Sequence, residues 1–234
     1  MSTLLVDHNN KLGDNLMFNA VIREYCARYD TVGIFCMPRY HTSVSFMYRD
    51  LKNLRIELAA THRQKKNKLL LHRLGLWGRQ YDAVKSIYAD PEEGIMVERQ
   101  LYAVAGVEFE KKWNGFKVER DRAREEALFA QVAPSAPYAF VHDDSIYKTA
   151  VDLSKAGSTL PVARVEKDLT DNVFDYCTLI ERASEIHVVD SAFMFLVDCL
   201  PYDTPGQKLF VHRYARTNPP WNLPILKKDW TILT

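Results

Sequence analysis

The stretch LLVDHNNKLGDNL, residues 4–16, predicts how the chain begins to fold. Its first residues, Leu4 to Val6, form a short apolar run of the kind that becomes a buried strand. Helical spacing of apolar residues begins at Asn15 and continues to Tyr29. In doubly wound α/β proteins, ligands bind where strands end and helices begin. The polar residues between this strand and this helix are therefore predicted to line a site.

The same alternation of strand and helix continues along most of the chain. In the first half we predict strands at residues 4–7, 31–36, 54–58 and 81–87, and helices at 15–29, from Pro38 and at 98–105. In the second half we predict strands at 138–142, 162–165, 185–189 and 208–212, and helices at 146–156, 173–183 and 191–200. Regular alternation of this kind implies parallel strands joined by right-handed crossovers.

The segment APSAP, residues 133–137, separates the two halves. Prolines that bracket small residues are typical of a hinge or a domain boundary. We therefore expect an α/β protein with two Rossmann-like parallel-sheet domains, residues 1–133 and 134–234. The carboxyl ends of two such sheets can face each other across a cleft, which is where a substrate would bind.

The composition is that of an ordinary globular protein, with 47% hydrophobic residues, 26% charged residues and a formal net charge of +1. Net charge therefore points to no class of partner. Positive charge is concentrated in THRQKKNKLLLHR, residues 61–73. A solvated loop is the favoured interpretation of this stretch, and a polyanion-binding surface is the alternative.

The cysteines and the amino terminus indicate a cytoplasmic protein. The four cysteines are widely spaced in apolar stretches and form no C-x-x-C pattern, which favours buried reduced thiols over a zinc site or disulfides. The first residues lack a signal-peptide pattern, and no apolar run is long enough to predict a transmembrane segment.

Asp14 is the first candidate catalytic residue, because a carboxylate at the mouth of a cleft can act as a general base. The alternative is a helix cap, since aspartate accepts hydrogen bonds from the first N–H groups of a helix. Gly13 would let the backbone approach a ligand closely. His8 is an alternative base or a polar lining residue, and Asn10 and Asn15 complete this predicted acceptor side.

A second candidate cluster is VHDDSIYK, residues 141–148, which follows a predicted strand. His142, Asp143 and Ser145 would lie at the crevice side of the second domain, although an acidic or hydroxyl side chain here could instead cap the next helix. Lys148, about one turn into that helix, could reach a phosphate as a point charge.

A third candidate cluster is VVDSAF, residues 188–193, where an apolar strand passes into a helix. The free N–H groups at Ser191 and Ala192 would form an anion pocket strengthened by the helix dipole. The alternative is again a cap, made by Asp190 or Ser191. For Phe174, core packing is the favoured interpretation, and packing against a base or a sugar of the donor is the alternative.

Several common motifs are missing from the sequence. We find no G-x-G-x-x-G, G-x-x-x-x-G-K-[ST], H-E-x-x-H or G-x-S-x-G pattern. A phosphate-bearing ligand would therefore not be held as it is in the common dinucleotide-binding or P-loop enzymes.

With these three clusters the chain resembles a small member of the GT-B glycosyltransferases, in the heptosyltransferase-like group. In that group a Gly-Asp pair after the first strand carries the catalytic aspartate, which matches Asp14 in KLGDNL. A lysine at the start of the second domain contacts the donor phosphates and matches Lys148. An Asp followed by a small residue contacts donor sugar and phosphates and matches Asp190-Ser191, although the Asp-Thr-Gly-like signature of the group is Asp-Ser-Ala here.

The resemblance implies an enzyme that transfers a sugar from a nucleotide-sugar to an acceptor hydroxyl, with inversion, without a metal and without a cofactor. The implied acceptor is a glycan or a lipid-linked saccharide. The basic residues of 61–73 leave room for a nucleic-acid acceptor, a hydroxymethylated base in DNA. A non-catalytic nucleotide- or glycan-binding module on the same fold is the alternative from another class.

Overall fold

The computed structural model describes residues 2–78, 81–89, 97–143, 150–166, 168–215 and 223–234. The contacts divide the chain into two compact units, Met1–Glu119 and Arg120–Thr234. Each unit contains its own parallel sheet, so the prediction of an α/β protein with two parallel-sheet domains is confirmed. Among the described residues, no helix combines the length and apolar character needed to span a bilayer.

The first unit is built on a four-stranded parallel sheet in the order β3-β2-β1-β4. Its strands are β1 (Thr3–Asp7), β2 (Thr31–Cys36), β3 (Leu54–Leu58) and β4 (Ala83–Ser86). The two central strands are buried along nearly their whole length, as expected for apolar runs with a sheet neighbour on either side. All four strands lie where the sequence predicted them.

The first unit also contains six α-helices within its described residues. They are α1 (Leu12–Met17), α2 (Asn19–Cys26), α3 (His41–Met47), α4 (His62–Arg73), α5 (Val97–Ala105) and α6 (Lys111–Asn114). The predicted single helix over 15–29 is thus two helices with Phe18 between them. Phe18 is 1% exposed and its ring lies 5.1 Å from that of His8, so packing against the end of β1 accompanies the break.

The basic stretch 61–73 is a helix, so its interpretation as a solvated loop was wrong. The Thr61 side chain accepts a hydrogen bond from the Gln64 N–H at 3.1 Å, and the Gln64 side chain accepts one from the Ala60 N–H at 2.8 Å. Gly75 follows the helix with a φ of 68°, the left-handed conformation that commonly ends a helix. The pattern T-x-x-Q is a capping signal that could have been read from the sequence.

The second unit is built on a five-stranded parallel sheet in the order β6-β5-β7-β8-β9. Its strands are β5 (Ala139–His142), β6 (Val162–Arg164), β7 (Glu185–Val188), β8 (Lys208–His212) and β9 (Trp230–Leu233). Its α-helices are α7 (Arg122–Val132), α8 (Cys177–Arg182) and α9 (Ala192–Cys199). The first four of these strands were predicted, and β9 was not.

The division between the units falls before α7, whereas the segment 133–137 was expected to mark it. Glu125 of α7 is 1% exposed and accepts a hydrogen bond from the Thr178 hydroxyl at 2.8 Å. Arg120 pairs with the same glutamate and lies 2.6 Å from a carboxylate oxygen of Glu181. Because this buried polar cluster ties α7 to α8, the helix belongs to the second unit.

Strand order changes direction once in each sheet, and this positions the candidate sites. In the first sheet the change falls between β1 and β4, and in the second it falls between β5 and β7. Ligands of open α/β sheets bind outside the carboxyl ends of the strands at such a switch point. The residues that follow these four strands are therefore the first place to look for function.

Candidate functional site

Asp14 lies in the first turn of α1, which follows β1 directly. The N-cap position is occupied by Lys11, whose side chain makes no capping hydrogen bond. The Asp14 carboxylate accepts hydrogen bonds from the Asn9 side chain and from the Lys11 backbone N–H. Asp14 is therefore not the N-cap residue, but it satisfies a free N–H as the third residue of a capping box does.

Burial raises the pKa of the Asp14 carboxyl above its ordinary value. The positive charge of Lys11 and the hydrogen bond from Asn9 oppose this shift without cancelling it. A carboxylate with a raised pKa is a better proton acceptor near neutral pH. The general-base role of Asp14 stays a prediction, and the structure adds that its carboxyl has a raised proton affinity.

His8, in the segment between β1 and α1, is buried. Burial lowers the pKa of His8 to about 4, and its Nδ1 lies against the carbonyl oxygen of Asn9. Nδ1 is therefore the donor, which leaves Nε2 as a lone-pair acceptor without a hydrogen-bond partner among the described residues. Because its pKa is so low, His8 is a weak base, and a role as hydrogen-bond acceptor fits it better.

The remaining predicted acceptor-side residues are held by the fold. Asn10 donates to the Ala59 carbonyl at 2.8 Å, and Gly13 is the second residue of α1. The Asn15 side-chain nitrogen donates to the Lys11 carbonyl at 2.8 Å, while its buried Oδ1 has no partner among the described residues. Asn15 and His8 thus each present an unpartnered acceptor near the amino end of α1.

A buried charge cluster at this switch point was not predicted. Lys65 of α4 is 1% exposed, and its Nζ lies 2.9 Å from Asp7 Oδ1 and 2.9 Å from the His8 carbonyl oxygen. The Tyr88 hydroxyl donates to Asp7 at 2.7 Å and contacts the same ammonium group. The burial of Lys65 could not be predicted from the sequence, because no local pattern distinguishes this lysine from its exposed neighbours in the basic run 61–73.

A cavity of about 520 Å³ adjoins this cluster. Asp7 and Tyr88 form part of its wall. The rest of the wall comes from seven residues of α4: His62, Lys65, Lys66, Asn67, Leu69, Leu70 and Arg73. The cavity therefore combines buried, paired charges with cationic and apolar side chains of one helix.

In the second unit, His142 at the end of β5 and Ser191 after β7 are in contact. Ser191 Oγ lies 3.1 Å from His142 Nδ1, and the His142 ring lies 4.4 Å from that of Phe193. Ser191 occupies the N-cap position of α9, but its side chain makes no capping bond. The first N–H groups of a helix lack partners within the helix, so this helix start can receive an anion.

The neighbours of Ser191 differ in accessibility. Asp190 is 4% exposed, whereas Ala192, the first residue of α9, is half-buried. Asp143 accepts a hydrogen bond from the Val151 N–H at 2.7 Å and pairs with Arg164, so its charge is used within the unit.

Two predicted donor-binding residues, Ser145 and Lys148, lie outside the described residues, as does the start of the helix predicted over 146–156. The described end of that segment is a 3₁₀ turn, Leu153–Ala156.

Phe174 is one of the buried core residues of the second unit. Its side chain is 1% exposed within the 3₁₀ turn Val173–Tyr176, and its N–H donates to the Asn172 side chain at 3.3 Å. A ring buried to this extent presents no face to a base or a sugar, so core packing is the role that the structure supports. Among the described residues, no group of three or more His, Cys, Asp or Glu side chains could hold a metal ion.

No family model and no curated protein sequence matches this chain. Solved structures do. A glycosyl transferase of family 9 from Veillonella parvula DSM 2008 matches 99% of this chain and 86% of its own at 9% identity and a TM-score of 0.61. The E. coli ADP-heptose LPS heptosyltransferase II matches 100% of this chain and 90% of its own at 12% identity and a TM-score of 0.55.

The fold is that of the GT-B glycosyltransferases. At such low identity the match concerns the fold alone, and it extends over nearly the whole chain. Asp14, in the first turn of α1, and Ser191, at the N-cap of α9, belong to different units, and each follows a strand at the switch point of its own sheet.

Proposed function

We propose that the protein is a glycosyltransferase that moves a sugar from a nucleotide-sugar to an acceptor hydroxyl, with inversion and without a metal ion. One observation carries the proposal: in a GT-B fold, Asp14 follows one strand at a switch point, and the His142–Ser191 pair joins the two strands at the other. These are the two places where the chemistry of such a transfer needs a base and an anion pocket.

On the acceptor side, Asp14 would take the proton of the acceptor hydroxyl while that oxygen attacks the anomeric carbon of the donor sugar. The bond between this carbon and the leaving diphosphate oxygen breaks as the new bond forms. The raised pKa of Asp14 supports this role, since proton transfer is most effective when the base has a pKa near the working pH. The unpartnered Nε2 of His8 could accept a hydrogen bond from the acceptor.

On the donor side, the leaving diphosphate would bind at the start of α9. The free N–H groups after Ser191 and the helix dipole favour negative charge there. In other enzymes a metal ion stabilises the charge of the leaving group in this way. Lys148, in the part of the chain outside the described residues, is proposed to add a positive charge. The hydrogen bond between Ser191 and His142 would keep the Ser191 hydroxyl in place.

The acceptor we propose is a glycan or a lipid-linked saccharide, with hydroxymethylated DNA as the alternative. A salt titration of acceptor binding separates the two. A DNA acceptor requires log K to fall steeply with log salt, with a slope of about −0.9 for each phosphate contact. An uncharged glycan requires a nearly flat dependence.

The proposed activity is tested in two stages. A thermal-shift screen of nucleoside diphosphates first identifies the nucleotide, because a ligand that binds only the folded state raises the melting temperature. With the matching nucleotide-sugar, Asp14→Asn should lower kcat by roughly a hundredfold or more while nucleotide stabilisation is kept. Glu108→Gln, an exposed acid of the same unit, is the matched control and should leave kcat unchanged.

Two outcomes would contradict the proposal. If wild-type protein binds nucleotides but transfers no sugar, it is a binding module on the same fold. If Asp14→Asn costs only the roughly 1 kcal/mol of a lost capping interaction and leaves turnover intact, Asp14 is structural.

A further inference from the structure

The end of α4 and the turn after it expose an unusual number of leucines. The exposed fractions are 55% for Leu70, 40% for Leu71, 59% for Leu74 and 69% for Leu76. These four residues, here called the leucine patch, are half of the eight large hydrophobic residues exposed in the described part of the chain. Scattered exposed leucines are normal, but a contiguous group marks an interaction surface.

The attachment of α4 to the sheet explains why the leucine patch remains outside the core. The helix is anchored by buried Lys65 and by His72, whose Nε2 lies 2.9 Å from the Tyr81 carbonyl oxygen. Leu70 and Leu74 are four residues apart and so share one face, away from these anchors. The patch therefore contributes little to the core of the first unit.

The surface around the leucine patch is strongly positive. Residues 61–76 contain five lysines and arginines and no acidic residue. Lys65 and Lys68 pair with carboxylates of the sheet, at 2.9 and 3.9 Å. The other three are exposed, and none has a carboxylate within 4.0 Å among the described residues: Arg63, Lys66 and Arg73.

We propose that this face docks the first unit on a bilayer surface that contains anionic lipids. Apolar side chains on a basic helix enter the boundary between headgroups and acyl chains, while the cations bind lipid phosphates. A second copy of the chain is a poorer partner. In a two-fold dimer the same patch forms both sides, so the unpaired cations would face one another.

The docking face is continuous with the cavity of the first unit. Lys66, Leu70 and Arg73 belong to the face and also line the cavity beside Asp7 and Tyr88. Docking would therefore bring the cavity to the lipid surface. If the proposed transferase activity is correct, this favours a lipid-linked saccharide as the acceptor; the docking itself does not depend on that activity.

Vesicle co-sedimentation tests the proposal with the intact chain and without donor or acceptor. Wild-type protein should bind vesicles of phosphatidylcholine with phosphatidylglycerol, should bind phosphatidylcholine alone much more weakly, and should lose binding as salt is raised. Each cation near an anionic surface strengthens binding about fivefold, so Arg63→Gln/Lys66→Gln/Arg73→Gln should weaken it about a hundredfold. Leu70→Gln/Leu74→Gln should weaken it about tenfold or more.

Matched controls separate docking from folding and from catalysis. Val104→Gln changes an equally apolar side chain that is 39% exposed on α5, and it should bind vesicles like the wild type. Asp14→Asn should also bind normally, so a failed transferase assay and a failed docking assay are distinguishable. If the leucine variant does not fold, the cation variant tests the same surface.

Three results would overturn the proposal. The first is equal binding to both vesicle types, and the second is no binding to either. The third is light scattering that shows self-association of the wild type, lost in the leucine variant, without vesicle binding. In that case the leucine patch is an interface between copies of the chain.

Discussion

The two sheets end in polar residues at their switch points, but the two ends are built differently. After β1, Asp7 and Lys65 form a buried ion pair 2.9 Å apart that Tyr88 completes. After β5 and β7, the contact is a hydrogen bond of 3.1 Å between His142 and Ser191, next to the start of a helix. The first end is built on two opposite charges, whereas the second is built on a hydrogen bond and the start of a helix.

This difference suggests a division of work between the two units. Lys65 also donates to the His8 carbonyl oxygen, so the ion pair secures the loop that leads to Asp14. A fixed loop suits a base that must be aligned with a hydroxyl. The N–H groups at the start of a helix have no partner within the helix, so they suit a ligand that brings its own negative charge. Changes at the two ends should therefore have different consequences.

The largest effect on stability is expected from Lys65→Met. It leaves the Asp7 carboxylate buried without its cation, which should lower the free energy of unfolding by about 3–5 kcal/mol in urea denaturation. Asp7→Asn/Lys65→Met should recover part of that loss. Lys68→Met, which removes a looser and partly exposed pair, should cost less than about 1 kcal/mol. If both substitutions lowered the free energy of unfolding by a similar amount, the buried pair would contribute no more to stability than the partly exposed one.

A smaller effect is expected from acid, and both units should share it. Burial lowers the pKa of His8 in the first unit and of His212 in the second to about 4. The unfolded chain binds these protons near pH 6.5, so stability is full above that pH and falls as the pH drops toward 4. Each histidine should cost about 2 kcal/mol between pH 7 and pH 5.

The variant His8→Gln sharpens this prediction for the first unit alone. The free energy of unfolding is measured by denaturant titration at pH 7 and at pH 5. The difference between the two pH values should be smaller for His8→Gln than for the wild type. An unchanged difference would mean that His8 does not contribute to acid sensitivity.

The smallest effect on stability is expected from Ser191→Ala. Loss of the hydrogen bond to His142 should cost about 1 kcal/mol, and nucleoside diphosphate affinity should fall about three- to tenfold in calorimetric titration. Ser184→Ala, at the amino end of β7, is the control and should leave that affinity unchanged. Equal losses of affinity in both variants would place the nucleotide elsewhere.

Local pattern was sufficient for most of the fold. Of the nine strands in the described part of the chain, eight follow apolar runs that the sequence shows directly. The exception, β9, depends on Asp198 of α9, whose carboxylate accepts hydrogen bonds from the Lys227 N–H at 2.9 Å and the Trp230 indole at 3.1 Å. Hydrogen bonds between residues so far apart in the chain leave no periodic pattern of apolar residues in the strand itself.

The candidate site was predictable only in part. Asp14, His142 and Ser191 were found because they follow strands, and the chain order of parallel strands places such residues at one end of the sheet. For Phe174 the sequence left donor contact and the favoured core packing both open, because an apolar ring next to a polar loop has the same sequence pattern whether it packs inward or outward. The structure buries it.

The sequence by itself determined the α/β class, the parallel pairing and the loops that follow each strand, because these depend on the spacing of apolar residues along the chain. Only the tertiary structure decided which members of one basic run are used inside the protein. Lys65 is buried against Asp7, while Lys66 and the leucine patch remain exposed. The physical reason is that burial depends on how α4 packs on the sheet, and residues of the same type on one helix then face opposite environments.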